Sequence, residues 1–379
     1  MKKCYLLGLP LMVLASLLTS QSTYAQFVVN DSLTVEELVY DFFDSGILLE
    51  LSNLTVNGEA PDQVNNQFAL FSNGLDNGLD MTSGLVMATG NANSYLIPSA
   101  VFEALTNPVF GDEDMMAITG QLVNDCAIIE FDVQVDADAL AFSFLFASIE
   151  YANFTCTNFN DAFAFFISGP GLQGPYSNDA INIATIPGSD VPVAINTVNG
   201  GAPTGGGGSA NCEAANPNWQ NDTQYFVDNT FFDNSPFAAN GYTVTMEAFV
   251  EVTFGETYHM KIAICDAADG ALDSAVLLEA GSFEGRLLST SLYDKLPRLK
   301  TYPNPATDVL RIENPCADCG ALQASILDLN GRVVTAQSST NISAIELSLA
   351  GLAKGMYLVE LRDQAQRVIG TSKFVKAEN

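Results

Sequence analysis

The chain has 379 residues and a formal net charge of −30, and the excess acid is confined to one part of it: Gln26 to Gly285 holds one basic residue, Lys261, against 35 aspartates and glutamates, whereas Arg286 to Asn379 holds 11 basic residues against nine acidic ones. So acidic a stretch repels nucleic acid and anionic membrane surfaces, which leaves divalent cations, cationic partners and neutral glycans as its companions. The length and the break in charge both divide the chain into two domains.

Lys2 and Lys3 precede an apolar run from Leu6 to Leu18, and polar residues lead on to Ala25. Residues 1–25 read as a secretory signal peptide, whose apolar run falls short of the roughly 20 residues a membrane span needs. No later segment is long or apolar enough to span, so no transmembrane segment is expected. Cys4 leaves with the signal, and export makes disulfides the default for the six remaining cysteines. Cys156 and Cys212 lie in Asn-, Thr- and Gly-rich loops and Cys316 and Cys319 flank one tight turn, so pairing each of these leaves Cys126 with Cys265. The Cys-x-x-Cys at 316–319 lacks both the βαβ context of a redox motif and the second Cys/His pair of a zinc site.

Within residues 26–285 helix is scarce. Thr34 and Glu37 form a capping box at the head of a helix over Val35 to Asp44, with Val35, Leu38, Val39, Phe42 and Phe43 on one apolar face. Ala127 to Val135 alternates as a half-buried strand does, while Leu140 to Phe146 and Ala162 to Ser168 are apolar on both faces, as in the middle of a sandwich. Tyr242 to Val252, Thr257 to Cys265 and Val276 to Phe283 complete the set. Between them run a glycine-rich stretch, Gly200 to Ser209, which cannot hold a fixed conformation cheaply and is expected to be loose, and a longer loop rich in asparagine and aromatics, Asn211 to Asn240. The pattern predicts an all-β protein: a large β-sandwich or jelly-roll-like domain, followed by a smaller one.

Four segments in this body, Ser83-Gly84-Leu85-Val86-Met87-Ala88-Thr89-Gly90, Phe144 to Tyr151, Asn160 to Gly171 and Asp273 to Phe283, resemble in order the choice-of-anchor L domain of bacterial surface proteins. The resemblance implies a surface location and varied means of anchoring, with no set activity.

After a basic linker over 286–300, Tyr302-Pro303-Asn304-Pro305 presets a turn. Strands follow at Val309 to Ile312, Leu322 to Leu329, Arg332 to Thr335, Gly355 to Leu361 and Thr371 to Lys376, with Asn330-Gly331 as a hairpin turn. These make a small immunoglobulin-like β-sandwich over 301–379. Tyr302, Pro303, Asn304 and Pro305, the Gly331 turn, Gly355 with Tyr357, and a terminal strand bearing Lys373 and Lys376 resemble the C-terminal sorting domain of type IX secretion substrates in the Bacteroidetes. That resemblance implies export across both membranes to the cell surface or the medium. It also implies the type IX machinery and its sortase-like protease as partners, a cut in the linker, and surface lipopolysaccharide as an anchor.

No catalytic set stands out. His259 is the sole histidine, on a strand, and no Gly-x-Ser-x-Gly elbow accompanies it. Glu150, Asp161, Asp266, Asp269 and Asp273 border core strands and loops, and clustered carboxylates of this kind suit a structural calcium ion; the alternative is solvated turn acids. Asp112-Glu113-Asp114 reads as solvated surface. Trp219, Tyr225, Phe231 and Phe232, among asparagines, are candidates for stacking on a glycan, against anchoring the loop to the sandwich. The expected role is adhesion or binding of a glycan or extracellular matrix, with a structural matrix or biofilm component, and a carboxylate-dependent polysaccharide hydrolase, as the alternatives.

Overall fold

The structure, a computed structural model, describes residues 27–43, 49–96, 111–230, 238–286, 299–313, 322–327, 333–339, 344–362 and 368–377. In chain order the body contains β1 (Val28–Asn30), α1 (Val35–Phe43), β2 (Leu49–Val56), β3 (Phe68–Ser72), β4 (Ser83–Ala88), α2 (Ala92–Tyr95) and α3 (Glu113–Thr119). There follow β5 (Val123–Val135), β6 (Ala139–Ser148), β7 (Ala162–Ser168), β8 (Ile181–Asn182), β9 (Val193–Ala194), α4 (Ala210–Ala215) and β10 (Phe226–Asp228). The last five are β11 (Gly241–Thr243), β12 (Met246–Glu251), β13 (Glu256–Ala267), β14 (Ser274–Glu279) and β15 (Glu284–Arg286).

Among the described residues these strands make two antiparallel sheets. One runs β1-β3-β4-β14-β6-β11-β10, with β12 and β15 also on β6; the other runs β2-β5-β13-β7-β8, with β9 on β7. Between them lies the main core, where Phe142 meets Phe165 at 4.2 Å and Phe144 meets Phe163 at 5.1 Å between ring centroids, each pair joining one sheet to the other. Such ring pairs add about 0.5–1.5 kcal/mol each beyond the area they bury.

The outer faces of the central strands are covered as well, which is why β6 and β7 read as apolar on both sides. Leu145, Ala147 and Leu277 pack outward beside Met81 and Tyr95, and Phe166, Ala164 and Ala263 pack outward beside Met115 of α3. The capping box of α1 forms as expected: Thr34 N–H donates to Glu37 Oε2 at 2.9 Å and Glu37 N–H to Thr34 Oγ1 at 3.3 Å. Val35, Leu38, Val39 and Phe42 of that helix are buried in the core.

Two expectations need correction. Tyr242 to Val252 is two strands rather than one, because the Thr243 hydroxyl takes the Phe146 N–H at 3.0 Å and interrupts the backbone ladder with β6. Gly200 to Ser209 is docked, not loose: Thr155 and Thr204 exchange hydrogen bonds, and any side chain at Gly205 would overlap the Asn153 carbonyl.

The C-terminal domain comprises β16 (Thr301–Tyr302), β17 (Val309–Glu313), β18 (Leu322–Leu327), β19 (Val333–Ser339), β20 (Ala344–Ser348), β21 (Gly355–Arg362) and β22 (Val368–Lys376). Sheets β16-β17-β20 and β19-β18-β21-β22 enclose Leu310, Ile326, Ile345, Val359, Leu361 and Phe374. Leu299, at the end of the expected linker, already belongs to this core, and Arg286, at its start, closes β15. The Asn330-Gly331 turn and the Cys316-x-x-Cys319 pair lie outside the described residues.

Candidate functional site

β5 and β13 slip out of register near one end of the body. Ile264 faces Ala127 and Asp266 faces Asn124, so Asp125 and Cys126 together oppose Cys265 alone. This is a β-bulge, and Asp125 takes a positive φ of 48° to make it. A disulfide, Cys126–Cys265, locks the bulge with its Cα atoms 4.2 Å apart. Bulges re-aim side chains, and Asp125 and Asp266 end up buried on either side of this cross-link.

Three further acids gather there from three other segments: Glu150 just after β6, Asp161 just before β7 and Asp273 just before β14. Asp266 is 2% exposed, Asp161 1%, Glu150 3% and Asp273 6%. Glycine makes the space. A side chain at Gly90 would overlap the Asp273 carboxylate, and one at Gly270 would overlap that of Asp125. Asp269 stands apart on the exposed loop, where its Oδ1 accepts the Ala271 N–H.

The acids differ in what they hold. Asp161 Oδ1 accepts the Ala267 N–H at 2.9 Å and Oδ2 accepts the Ser274 hydroxyl at 2.7 Å. Neither oxygen of Asp266 has a hydrogen-bond partner, nor has Glu150 Oε2 or the neighbouring Tyr151 hydroxyl. Thr89 sits near enough to Asp266 to ease its charge slightly, but the Thr89 hydroxyl is engaged with both the N–H and the carbonyl of Ser274. Burial, then the charge of Asp161, holds Asp266 well above the ordinary carboxyl range. Burial and the charges of Asp125 and Asp161 push Asp273 up to about 7, and burial with Asp161 and Asp269 pushes Glu150 up to about 9. A buried carboxylate without donors costs several kcal/mol. Among the described residues, no three His, Cys, Asp or Glu side chains already converge as a finished ligand set.

The body's basic residue answers other acids. Lys261 donates to Asp112 at 2.8 Å and Asp114 at 2.6 Å and lies over the Phe166 ring. The reading of Asp112-Glu113-Asp114 as solvated surface is therefore wrong at both aspartates: Asp112 caps α3 through the Met115 N–H, and Asp114 is buried. Burial alone would raise the Asp114 carboxyl, but hydrogen bonds from Lys261 and Ser177 outweigh it and hold it below the ordinary value. His259, two residues back on β13, bridges Glu130 at 3.2 Å and Asp132 at 2.8 Å. It is a paired strand residue, raised in basicity chiefly by the hydrogen bond it donates to Glu130.

The aromatic loop has a different role from the one weighed for glycan stacking. Trp219 is 2% exposed and packs on the Cys156–Cys212 disulfide, so its face is closed to any sugar ring. Tyr225 is half-buried against the main core, and Phe231 and Phe232 lie outside the described residues. Asparagines do the stapling: Asn196 Oδ1 accepts the Cys156 N–H, Asn216 donates to the Thr197 carbonyl, and Asn240 donates to the Ile149 carbonyl. Left at the surface are Asn153, Asn158, Asn211, Gln220 and Asn221, beside the half-buried ring pair Phe154 and Phe159.

In the C-terminal domain the Tyr302-Pro303-Asn304-Pro305 turn is fastened to β22. Asn304 Nδ2 donates to the Lys373 carbonyl, and its Oδ1 accepts the Val375 N–H, both at 3.0 Å. Gly355 opens β21 with a φ of 156°, and Tyr357 stacks on Phe374 and donates its hydroxyl to the Ala353 carbonyl. Lys373 is exposed, whereas Lys376 is buried and donates to the Ala377 carbonyl.

An acidic two-sheet body with disulfide-pinned loops, a chemistry that suits export, is followed along the chain by a small, near-neutral sandwich. The sequence pattern described as Choice-of-anchor L domain matches residues 27–284, and that described as Secretion system C-terminal sorting domain matches residues 300–377. The chain belongs to the choice-of-anchor L family and carries a type IX sorting domain, which directs it through that secretion machinery to the cell surface or the extracellular space. No curated protein matches it. Among solved structures, similarity extends to an immunoglobulin-like β-sandwich protein of the DUF3244 family from Bacteroides vulgatus, 21% identical over 22% of this chain and 88% of that one, with a TM-score of 0.18. The BSP domain of a biofilm associated protein is 7% identical over 85% of this chain and 64% of that one, with a TM-score of 0.20. A β-glucuronidase from Ruminococcus gnavus is 8% identical over 66% of this chain, which spans 35% of the enzyme's length, with a TM-score of 0.15.

Proposed function

We propose that the body is a surface-displayed adhesive module that binds a neutral, hydroxyl-rich ligand such as a glycan of the extracellular matrix. The observation that carries this reading is the loop end of the sandwich, where Cys156–Cys212, buried Trp219 and the asparagine staples hold a rigid platform. Exposed amides at Asn153, Asn158 and Asn211 suit hydroxyl groups, and the Phe154–Phe159 pair offers the apolar edge that Trp219 does not. Rigid scaffolds presenting polar loops are common binding sites. In this reading the sortase-like protease cuts beyond Arg286, whose carbonyl still accepts the Asp138 N–H of the body, and surface lipopolysaccharide takes the new end.

Hydrolysis at the buried acid cluster is disfavoured by access. Asp161, Asp266 and Glu150 are too buried to reach a polysaccharide, although their raised basicity is of the kind acid catalysts use. The test is binding of the purified chain to arrayed glycans and matrix proteins, with a Phe154→Ala/Asn158→Ala variant alongside. Binding lost in the variant supports the platform. Failure to bind any of them, with concentration-dependent self-association instead, would replace adhesion with a structural matrix role, and release of reducing sugar would replace it with catalysis.

A further inference from the structure

We propose that the buried carboxylates of Glu150, Asp161, Asp266 and Asp273 form a calcium site that clamps the two sheets of the body together, with Asp269 at its solvent side. An acid cluster alone would not carry this. The added observation is Asp266, sealed from water, with both oxygens unpartnered and facing the charges of Asp161, Asp273 and Asp125. Glu150 Oε2 and the Tyr151 hydroxyl are unpartnered in the same region. Asp161 spends one lone pair of each oxygen on Ala267 and Ser274 and keeps others for a cation.

The body supplies no cation of its own here, since Lys261 and His259 are committed to Asp112, Asp114, Glu130 and Asp132. The donor set selects the ion. All of it is oxygen, and both cysteines beside it are locked in a disulfide, which argues against zinc and other soft-ligand metals. Ligands drawn from irregular positions on several segments suit calcium, which takes six to eight oxygens in flexible geometry, better than magnesium, which demands a near-ideal octahedron and retains water. Asp269, on the exposed loop, adds its charge to Glu150 and Asp161.

Thermal unfolding of the purified, uncleaved chain, sorting domain included, in calcium chloride and in EGTA tests the assignment. With calcium about a hundredfold above its dissociation constant, the melting temperature rises by about 6–10 °C. Asp266→Asn separates a ligand from a merely structural residue. In EGTA it melts at or above the wild type, because a neutral amide replaces a stranded charge, and in calcium the shift is lost. Should that variant not fold, Asp269→Asn at the exposed rim raises the calcium concentration for half-maximal shift several-fold. The proposal is overturned by no calcium shift in the wild type, by a full shift in Asp266→Asn, by an unchanged midpoint in Asp269→Asn, or by an equal shift in magnesium. None of these outcomes bears on glycan binding at the Phe154 platform, so the two readings fail separately.

Discussion

The Asp161 carboxylate and the Ser274 hydroxyl, 2.7 Å apart, tie the two sheets of the body together at their acidic end. Asp161 leads into β7 of one sheet and Ser274 opens β14 of the other, and the second Asp161 oxygen holds the Ala267 N–H at the end of β13. Asp161→Ala strands two buried donors and is expected to lower stability by about 3–5 kcal/mol, against about 1–2 kcal/mol for Ser274→Ala. Urea unfolding in EGTA measures both. Equal losses would mean the carboxylate is not the tie.

Trp219 is the chain's one tryptophan and lies against the Cys156–Cys212 bridge, so it reports on that bridge directly. Replacing both cysteines by alanine is expected to cost about 2–4 kcal/mol, as removal of a disulfide closing a long loop commonly does. Tryptophan emission should shift to the red in the same variant while far-ultraviolet dichroism stays sandwich-like. An unshifted spectrum would place the support of Trp219 elsewhere.

Lys261 is 13% exposed at its side chain and neutralises a 7% exposed Asp114. Breaking a buried pair by removing one partner costs about 3–5 kcal/mol, because the other charge remains. Lys261→Met should show that loss in urea unfolding, and Lys261→Met/Asp114→Asn should recover much of it. No recovery in the double variant would assign the loss to packing on Phe166 rather than to charge.

His259 gives a pH signature. Its folded value lies above the ordinary 6.5, so its contribution is complete below 6.5 and fades as pH rises through the folded value. Glu130, held down by the His259 hydrogen bond, lies below 4.5, and Asp132, where Asn53 and His259 outweigh burial, lies below 3.8; their contribution is complete above those values and fades as pH falls. The His259→Gln deficit should therefore peak between about pH 4.5 and 6.5, and it should be small, within about 1 kcal/mol, because the pair is partly exposed. Stability curves for the two proteins that stay a constant distance apart from about pH 5 to about pH 9 would contradict this.

Strands were the legible part of this chain, because alternation and double-faced apolar runs are direct records of burial. Ala162 to Ser168 coincides with β7, and Thr34 with Glu37 marked the head of α1. The split between β11 and β12 was hidden, since a hydroxyl that stands in for a backbone acceptor leaves the residue pattern unchanged. Asp125 escaped notice for a related reason: a bulge is a relation between two strands, and one strand's sequence does not show what opposes it. The polar Asn124-Asp125 step ahead of Cys126 was the available sign. Trp219 misled because an aromatic in a polar loop looks the same whether it faces a ligand or a disulfide. Asp112 and Asp114 misled because their partner, Lys261, is far away along the chain.

The Cys126–Cys265 bridge has a mechanical meaning too. In the anchored form proposed above, load would enter the body through Arg286, and the first structure to meet it would be β15, paired with β6 over Ala139 to Ala141. Peeling those few hydrogen bonds lengthens the tether by a short, recoverable amount. The bridge, with its sequence separation of 139 residues, keeps the stretch it encloses from being drawn out by any force applied at the ends. Strands outside the enclosed stretch, β1 to β4, β14 and β15, can yield, while the loops that Cys156 and Cys212 pin within it are kept from the load.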